Sequence, residues 1–249
     1  MLLHRALKSA KKAGLIFRNP ADADLVDLPR AADYEMKPMD EDALNLFLET
    51  ARATEYYTLF YLSLYTGMRR PEILALRWMD VDLIYVVCQV SVNRSLHVLH
   101  DRSAVFRQPK TSKNRRTIAL TPSTAILLRK YYDDRRPLFA GFGKSLEDSN
   151  LVFCHLDGGP LLPATMSQAW RKTATRAGLK GARLHDTRHT HATLMLKQGV
   201  NIKVVQERLG HEKAQTTVDI YSHVLPGMQE KAASDFDKMV NIAGKQAYA

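Results

Sequence analysis

The sequence predicts an α+β domain that is mainly helical and carries a small antiparallel β-sheet. Three observations predict it. Apolar residues recur at helical spacing over residues 40–76 and again from 121 onward. The pattern switches to period two between 81 and 120. With 249 residues and 45% hydrophobic content, the chain can bury one large core.

In chain order, Leu3, Ala6, Leu7, Ala10, Gly14 and Leu15 lie at helical spacing, which predicts a helix over 4–17 that Asn19-Pro20 stops. Residues 21–37 carry Pro29 and mixed charge between Pro20 and Pro38 and read as an extended linker, so the main domain starts near residue 38. Residues 40–52 form a helix whose acidic first turn suits the dipole and whose stripe is Leu44, Phe47, Leu48 and Ala51. A more apolar, central helix covers 56–65. Gly67 then supplies a left-handed cap and Pro71 opens a short helix over 71–76, which holds Arg69 in the corner between two helices.

Val86, Cys88, Val90 and Val92 alternate with polar neighbours, and residues 96–99, 104–106 and 116–120 complete one sheet. The turn over 109–116 carries four cations, Lys110, Lys113, Arg115 and Arg116, as a hairpin facing a polyanion would. Thr121-Pro122 starts a helix that runs to about Asp134, followed by a glycine-containing loop over 137–150, a short strand at 151–153 and a turn at 157–160. A helix over 163–177 bears Arg171, Lys172 and Arg176. The last third is helical over 185–198, 201–209, 214–221 and 227–244, with Gly199 and Gly210 closing the first two.

Lys and Arg total 36 against 26 acidic residues, a formal charge of +10, and this excess favours a polyanionic partner such as nucleic acid. Cys88 and Cys154 sit in apolar runs with no CxxC pair, the usage of a reduced, intracellular protein. Charge arrives too early at the N-terminus for a signal peptide, and no apolar run approaches the ~18 residues of a membrane span. A soluble cytoplasmic protein with no membrane contact is the expectation.

Proton-transfer chemistry concentrates in His185-Asp186-Thr187-Arg188-His189-Thr190-His191, followed by Leu209-Gly210-His211 and by Tyr221. His185 and Arg188 share one face at a helix start, a plausible seat for an anion. They are equally readable as a helix cap and an ion pair with Asp186 or Asp219. His185 and His189 have the i, i+4 spacing of zinc ligands, with neither an intervening Glu nor an obvious third ligand. A Tyr221 phenol, with an ordinary pKa of about 10, needs a base or a positive field to act as nucleophile.

These residues together resemble the catalytic domain of the tyrosine recombinases, the phage-type integrases, over residues 38 to about 225. The resemblance rests on Thr66-Gly67-Met68-Arg69 with Glu72, the Leu-Arg-Trp-Met-Asp-Val-Asp run at 76–82, Lys110, the 185–190 motif, Leu209-Gly210-His211 and Tyr221 ten residues later. It implies the fold of that catalytic domain and an exchange of DNA phosphodiesters without metal or other cofactor. Arg69 and Arg188 would hold the scissile phosphate and His211 would hydrogen-bond to it. Tyr221 would attack to give a 3′-phosphotyrosyl link, with His185 as general base and Lys110 as general acid; Lys113 is the alternative in the same turn. Glu72 and Asp186 would orient the Arg69 corner and His185. Arg107, Lys113, Arg115, Arg116, Arg171 and Lys172 would contact double-stranded DNA.

The resemblance also implies the organisation of the chain. Residues 1–20 match the last helix of a core-binding domain that is otherwise missing, 21–37 a linker, 38–225 the catalytic domain, and 226–249 a C-terminal helix and tail. That tail either docks on a neighbour in a tetramer on DNA or folds back on its own domain. A chain with half of a DNA clamp is expected to be a monomer that binds DNA weakly. A topoisomerase-like relaxase and a catalytically idle DNA-binding remnant are the competing expectations.

Overall fold

A computed structural model describes residues 2–22, 38–84, 87–108 and 115–211, with Glu230, Ala233, Ser234, Phe236 and Asp237 as helical residues further on. The chain divides into two compact units, Met1–Met36 and Lys37–Ala249. In the first, the apolar-basic repeat forms α1 (Leu2–Lys12). It ends earlier than the periodicity predicts, because Gly14 turns left-handed at φ 73° and Leu15 N–H closes on the Ala10 carbonyl at 3.0 Å. Asn19 is buried and donates to Asp22 at 3.0 Å, which His4 also meets at 3.1 Å.

The second unit begins with α2 (Glu41–Ala51), where the Asp40 carboxylate accepts the Ala43 N–H at 2.8 Å as an N-cap. The apolar residues of α3 (Tyr57–Thr66) face most directions, so this helix lies inside, with Leu59, Phe60, Leu62 and Leu64 buried. Gly67 ends it in the left-handed conformation at φ 63°. The next helix, α4 (Arg70–Ile73), has Arg69 as its N-cap residue. Behind it Asp80 accepts from Arg77 at 3.0 Å and from Asn93 at 3.1 Å, which ties the 76–82 run to the strands that follow.

The strands form two sheets in place of the one expected. β1 (Val81–Asp82) and β2 (Gln89–Val92) pair antiparallel, and β2 pairs with β5 (Arg116–Ala119) in the register Val90↔Ile118 and Val92↔Arg116. Between them in sequence, β3 (Ser95–Val98) and β4 (Ala104–Arg107) make a separate hairpin. Period two alone does not say which strand neighbours which, so one sheet and two read alike in the sequence. The short strand expected at 151–153 is reduced to single bridges, Arg77↔Leu151 and Cys154↔Pro160.

Helix α5 (Pro122–Gly141) runs seven residues past the end expected at Asp134, straight through Pro137. A proline inside a helix costs roughly 3 kcal/mol. Phe139, two residues on, is 1% exposed in a cluster with Leu151 and Cys154, and Arg135 donates to the Cys154 carbonyl at 2.7 Å, so burial offsets the lost N–H. Helix α6 (Pro163–Arg176) is anchored by Trp170, whose ring lies 4.0 Å from Phe47 and edge-on to Phe60 at 5.2 Å, while its indole N–H reaches the Ala182 carbonyl at 3.0 Å. Helices α7 (Asp186–Lys197) and α8 (Ile202–Leu209) share a second core of Ala192, Leu196, Val205 and Leu209. The expected helix over 214–221 lies outside the described residues, as does most of 227–244. No described helix is long and apolar enough to cross a membrane.

Candidate active site

Helix α8 stops at Gly210, left-handed at φ 65°, and its last carbonyls have no partner within the helix. Three guanidinium groups supply donors instead. Arg116 Nε donates to the Arg208 carbonyl at 2.8 Å, Arg188 to Leu209 at 2.5 Å and Arg69 to Gly210 at 2.7 Å. The negative end of the helix dipole thus gathers three cations from β5, α7 and the α3–α4 corner.

One carboxylate serves two of them. Glu72 Oε1 accepts from Arg69 at 2.9 Å and from Arg116 at 3.0 Å; Oε2 accepts from Arg116 at 2.7 Å and from the Arg69 backbone N–H at 2.8 Å. Burial opposes the Glu72 charge, but the bonds and charges of Arg116 and Arg69 outweigh it and hold its pKa below the ordinary carboxylate value. Three cations against one anion leave an excess of two positive charges among these described residues. Burial pushes the Arg188 guanidinium down to about 9, and the neighbouring Arg69 charge adds to the effect. At neutral pH Arg188 is still a cation, and an arriving anion would relieve it.

Arg188 is 4% exposed and also donates to the Gly67 carbonyl at 2.9 Å and to His211 Nε2 at 3.2 Å. Among the described residues these three bonds use three of its five N–H groups and leave two, one on each terminal nitrogen. Arg69, with two side-chain bonds to described residues, keeps three N–H groups that no described residue takes up, and its side chain is 38% exposed. Burial and then the charges of Arg188 and Arg69 lower the His211 pKa to about 4, so the ring is neutral, and its lone pair toward Arg188 puts the remaining proton on Nδ1.

Arg69, His185 and Arg188 line one cleft of about 860 Å³, with α6 as the opposite wall. His185 is exposed, precedes α7 and makes no side-chain cap bond to it. Asp186, expected to orient it, is buried and accepts the Arg183 N–H at 2.9 Å. His189 stacks edge-on to His185 at 5.5 Å. Among the described residues no three His, Cys, Asp or Glu side chains are grouped to hold a metal ion. His191 braces the site from behind: Nδ1 meets the Leu64 carbonyl at 2.9 Å, and Nε2 accepts from Arg208 at 3.0 Å.

The cations expected on DNA fall in different places. Arg171 is exposed on the cleft, whereas Lys172 lines a separate hollow with Thr54, Glu55 and Arg176, one helical residue being 100° round from the next. Arg107 and Arg115 are exposed, the latter bonded to Gln108 at 3.0 Å. Arg116, grouped with them in the sequence, is turned inward with its side chain 7% exposed. It begins β5, where alternation points its side chain at Glu72. Lys110, Lys113 and Tyr221 lie outside the described residues. Sequence reasoning missed Arg70, Lys180 and Arg183 on the cleft wall; Lys180 was legible as a cation between the turn glycines Gly178 and Gly181.

The model of the phage integrase family matches residues 36–228. The ICEBs1 integrase of Bacillus subtilis (strain 168) is 31% identical over 185 residues, covering 74% of this chain and 48% of that protein. A protein named tyrosine recombinase XerC-like from Caldanaerobacter subterraneus subsp. tengcongensis is 25% identical over 240 residues, 91% of this chain and 61% of its own. The chain therefore spans about half to three-fifths of the length of these curated relatives. Among solved structures, the Tn1549 transposon integrase in complex with a circular intermediate DNA superposes with a TM-score of 0.74 at 20% identity, covering 92% of this chain and 76% of that one. The XerA recombinase gives 0.62 at 24% identity, covering 93% and 73%. At such identities these two structures speak for the fold.

Proposed function

Because the chain belongs to the phage integrase family, we propose that it is the catalytic part of a site-specific DNA recombinase, which cuts and rejoins strands through a 3′-phosphotyrosyl intermediate. The observation that carries this reading is the cluster of Arg69, Arg116 and Arg188 on the end of α8, two of them sharing the Glu72 carboxylate, with N–H donors on Arg69 and Arg188 that no described residue takes up. Such a site is built to hold a phosphate whose charge grows as it becomes pentavalent. Preorganised guanidinium groups need no rearrangement at that moment.

In this mechanism Arg69 and Arg188 bind the two non-bridging oxygens, and His211 donates from Nδ1 to the same phosphate. The Tyr221 oxygen attacks phosphorus as His185 takes its proton; the bond to the 5′ oxygen breaks, and Lys110 protonates that oxygen as it leaves. A second 5′ hydroxyl then attacks the phosphotyrosine and restores the phosphodiester. The bond energy is conserved in the covalent link, so no nucleotide is consumed. Arg171, Lys180 and Arg183 beside the cleft, Arg107 and Arg115 beyond it, and with them Lys113, supply backbone contacts. Lys172 and Arg116 are left out of that set.

Double-stranded DNA as partner is supported by the Tn1549 structures, which hold DNA. Residues 38–225 act as the catalytic domain, and 226–249 as a segment that docks on a neighbour when a longer form of the protein assembles as a tetramer; alone, the chain is a monomer. A nicked suicide duplex carrying the cognate core site tests the chemistry. A denaturation-resistant protein–DNA adduct forms with the wild type and is lost in Tyr221→Phe. Duplex binding without any adduct would instead make the chain an idle DNA-binding protein.

A further inference from the structure

We propose that Arg116 is a positioning residue of the phosphate pocket: acting through Glu72 and the last turn of α8, it sets the direction of Arg69 and the place of the Gly210-His211 step. The proposal rests on the pocket being a phosphodiester site, and it removes Arg116 from the residues that touch DNA.

The Arg116 side chain is 7% exposed and its three bonds point inward, two to the Glu72 oxygens and one to the Arg208 carbonyl. Its root is fixed, since Arg116 opens β5 in register with Val92, which is itself 2% exposed. What it grips are the two supports of Arg69. Glu72 holds the Arg69 backbone N–H and one terminal nitrogen, while Gly210 holds the other terminal nitrogen. A Cβ at Gly210 would lie 3.0 Å from Arg116 Cδ, so the chain there packs directly on the arginine, and His211 follows it. Sheet, helix end and pocket are joined through this one planar fork. A lysine ammonium cannot span both carboxylate oxygens and the Arg208 carbonyl together.

The test uses the full chain with Arg116→Lys and Arg116→Gln, beside Arg107→Gln as an exposed cation of ordinary kind. Two quantities are read: duplex affinity with its salt dependence, and the single-turnover rate of adduct formation at saturating nicked duplex. For both Arg116 variants, affinity and salt slope stay at the wild-type value while the rate falls about 10- to 100-fold, the usual cost of removing the partner of an active-site group. Arg107→Gln instead weakens duplex binding and loses about one unit of salt slope, the mark of a lost phosphate contact. Arg116 variants that behave like Arg107→Gln overturn the proposal, as does a rate loss that only follows a melting midpoint fallen to the assay temperature.

A second readout needs no turnover. The guanidinium N–H signals of Arg69 in nitrogen-15 spectra, assigned with Arg69→Lys, are slowly exchanging in the wild type and collapse to solvent-exchanging positions in both Arg116 variants. Unchanged Arg69 signals overturn the proposal. If the wild type itself gives no adduct, the recombinase reading fails, and these signals still decide the role of Arg116.

Discussion

Replacing Gly67 by alanine is a severe test of how the two helix ends meet. Gly67 sits at φ 63°, where an L side chain costs about 1–2 kcal/mol. A Cβ built there lies 2.6 Å from Leu209 Cδ2 and 2.9 Å from His191 Cδ2, distances that force one of them to move. Both neighbours are confined: Leu209 is fully buried, and His191 is bonded at both ring nitrogens. Overpacking of this kind costs a further 1–3 kcal/mol or so, giving about 2–5 kcal/mol in all. Gly199, left-handed at φ 82° with open space around it, isolates the backbone part, so Gly199→Ala costs only about 1–2 kcal/mol. Alanine also narrows the unfolded ensemble by a similar amount in both variants, which leaves the difference intact. Urea melts at constant slope give the two values. The Gly67 and Leu209 carbonyls both hold Arg188, so Gly67→Ala also slows adduct formation well beyond Gly199→Ala. Equal stability loss in the two variants would refute the close approach described above.

Two further outcomes follow from the same geometry. Burial and the charge of Arg208 hold the His191 pKa down at about 4. As pH falls the unfolded state takes that proton first, near 6.5, so stability present above about 6.5 drains away toward pH 4, by about 3 kcal/mol for this group. His191→Gln, which keeps a donor and an acceptor but does not titrate, shows a correspondingly flatter acid limb in denaturant melts at stepped pH. Phe139→Ala removes what offsets Pro137, so it costs about 3–5 kcal/mol by urea melt, and hydrogen exchange speeds up at 138–141 while α2 and α3 stay protected.

Much of the fold is written in local pattern. The Asp40 cap, the apolar run of α3 and the glycines at 67, 199 and 210 mark helix ends by chemistry that acts within a few residues. Chain order alone also brings Arg69, His185 and Arg188 within one motif pattern, and all three line the same cleft. What failed was decided by tertiary contact. Pro137 reads as a stop unless Phe139 is known to be buried, and two sheets read as one because pairing partners are not local. Arg116 shows the limit most clearly. As one cation among four in a turn it reads as a DNA contact, and only the side of β5 on which its side chain emerges gives it to Glu72. Arg171 and Lys172 differ likewise by the turn of one helical residue.

Whether this pocket serves a tyrosine that takes over a DNA strand is decided by peptide mapping of the adduct. The chain is trapped on a nicked suicide duplex, digested with protease and nuclease, and the residue carrying the nucleotide is located by mass spectrometry. The expected product is a 3′-phosphate of the cleaved strand joined to Tyr221. A nucleotide on any other residue, a 5′ linkage, or no covalent product at saturating duplex would contradict it.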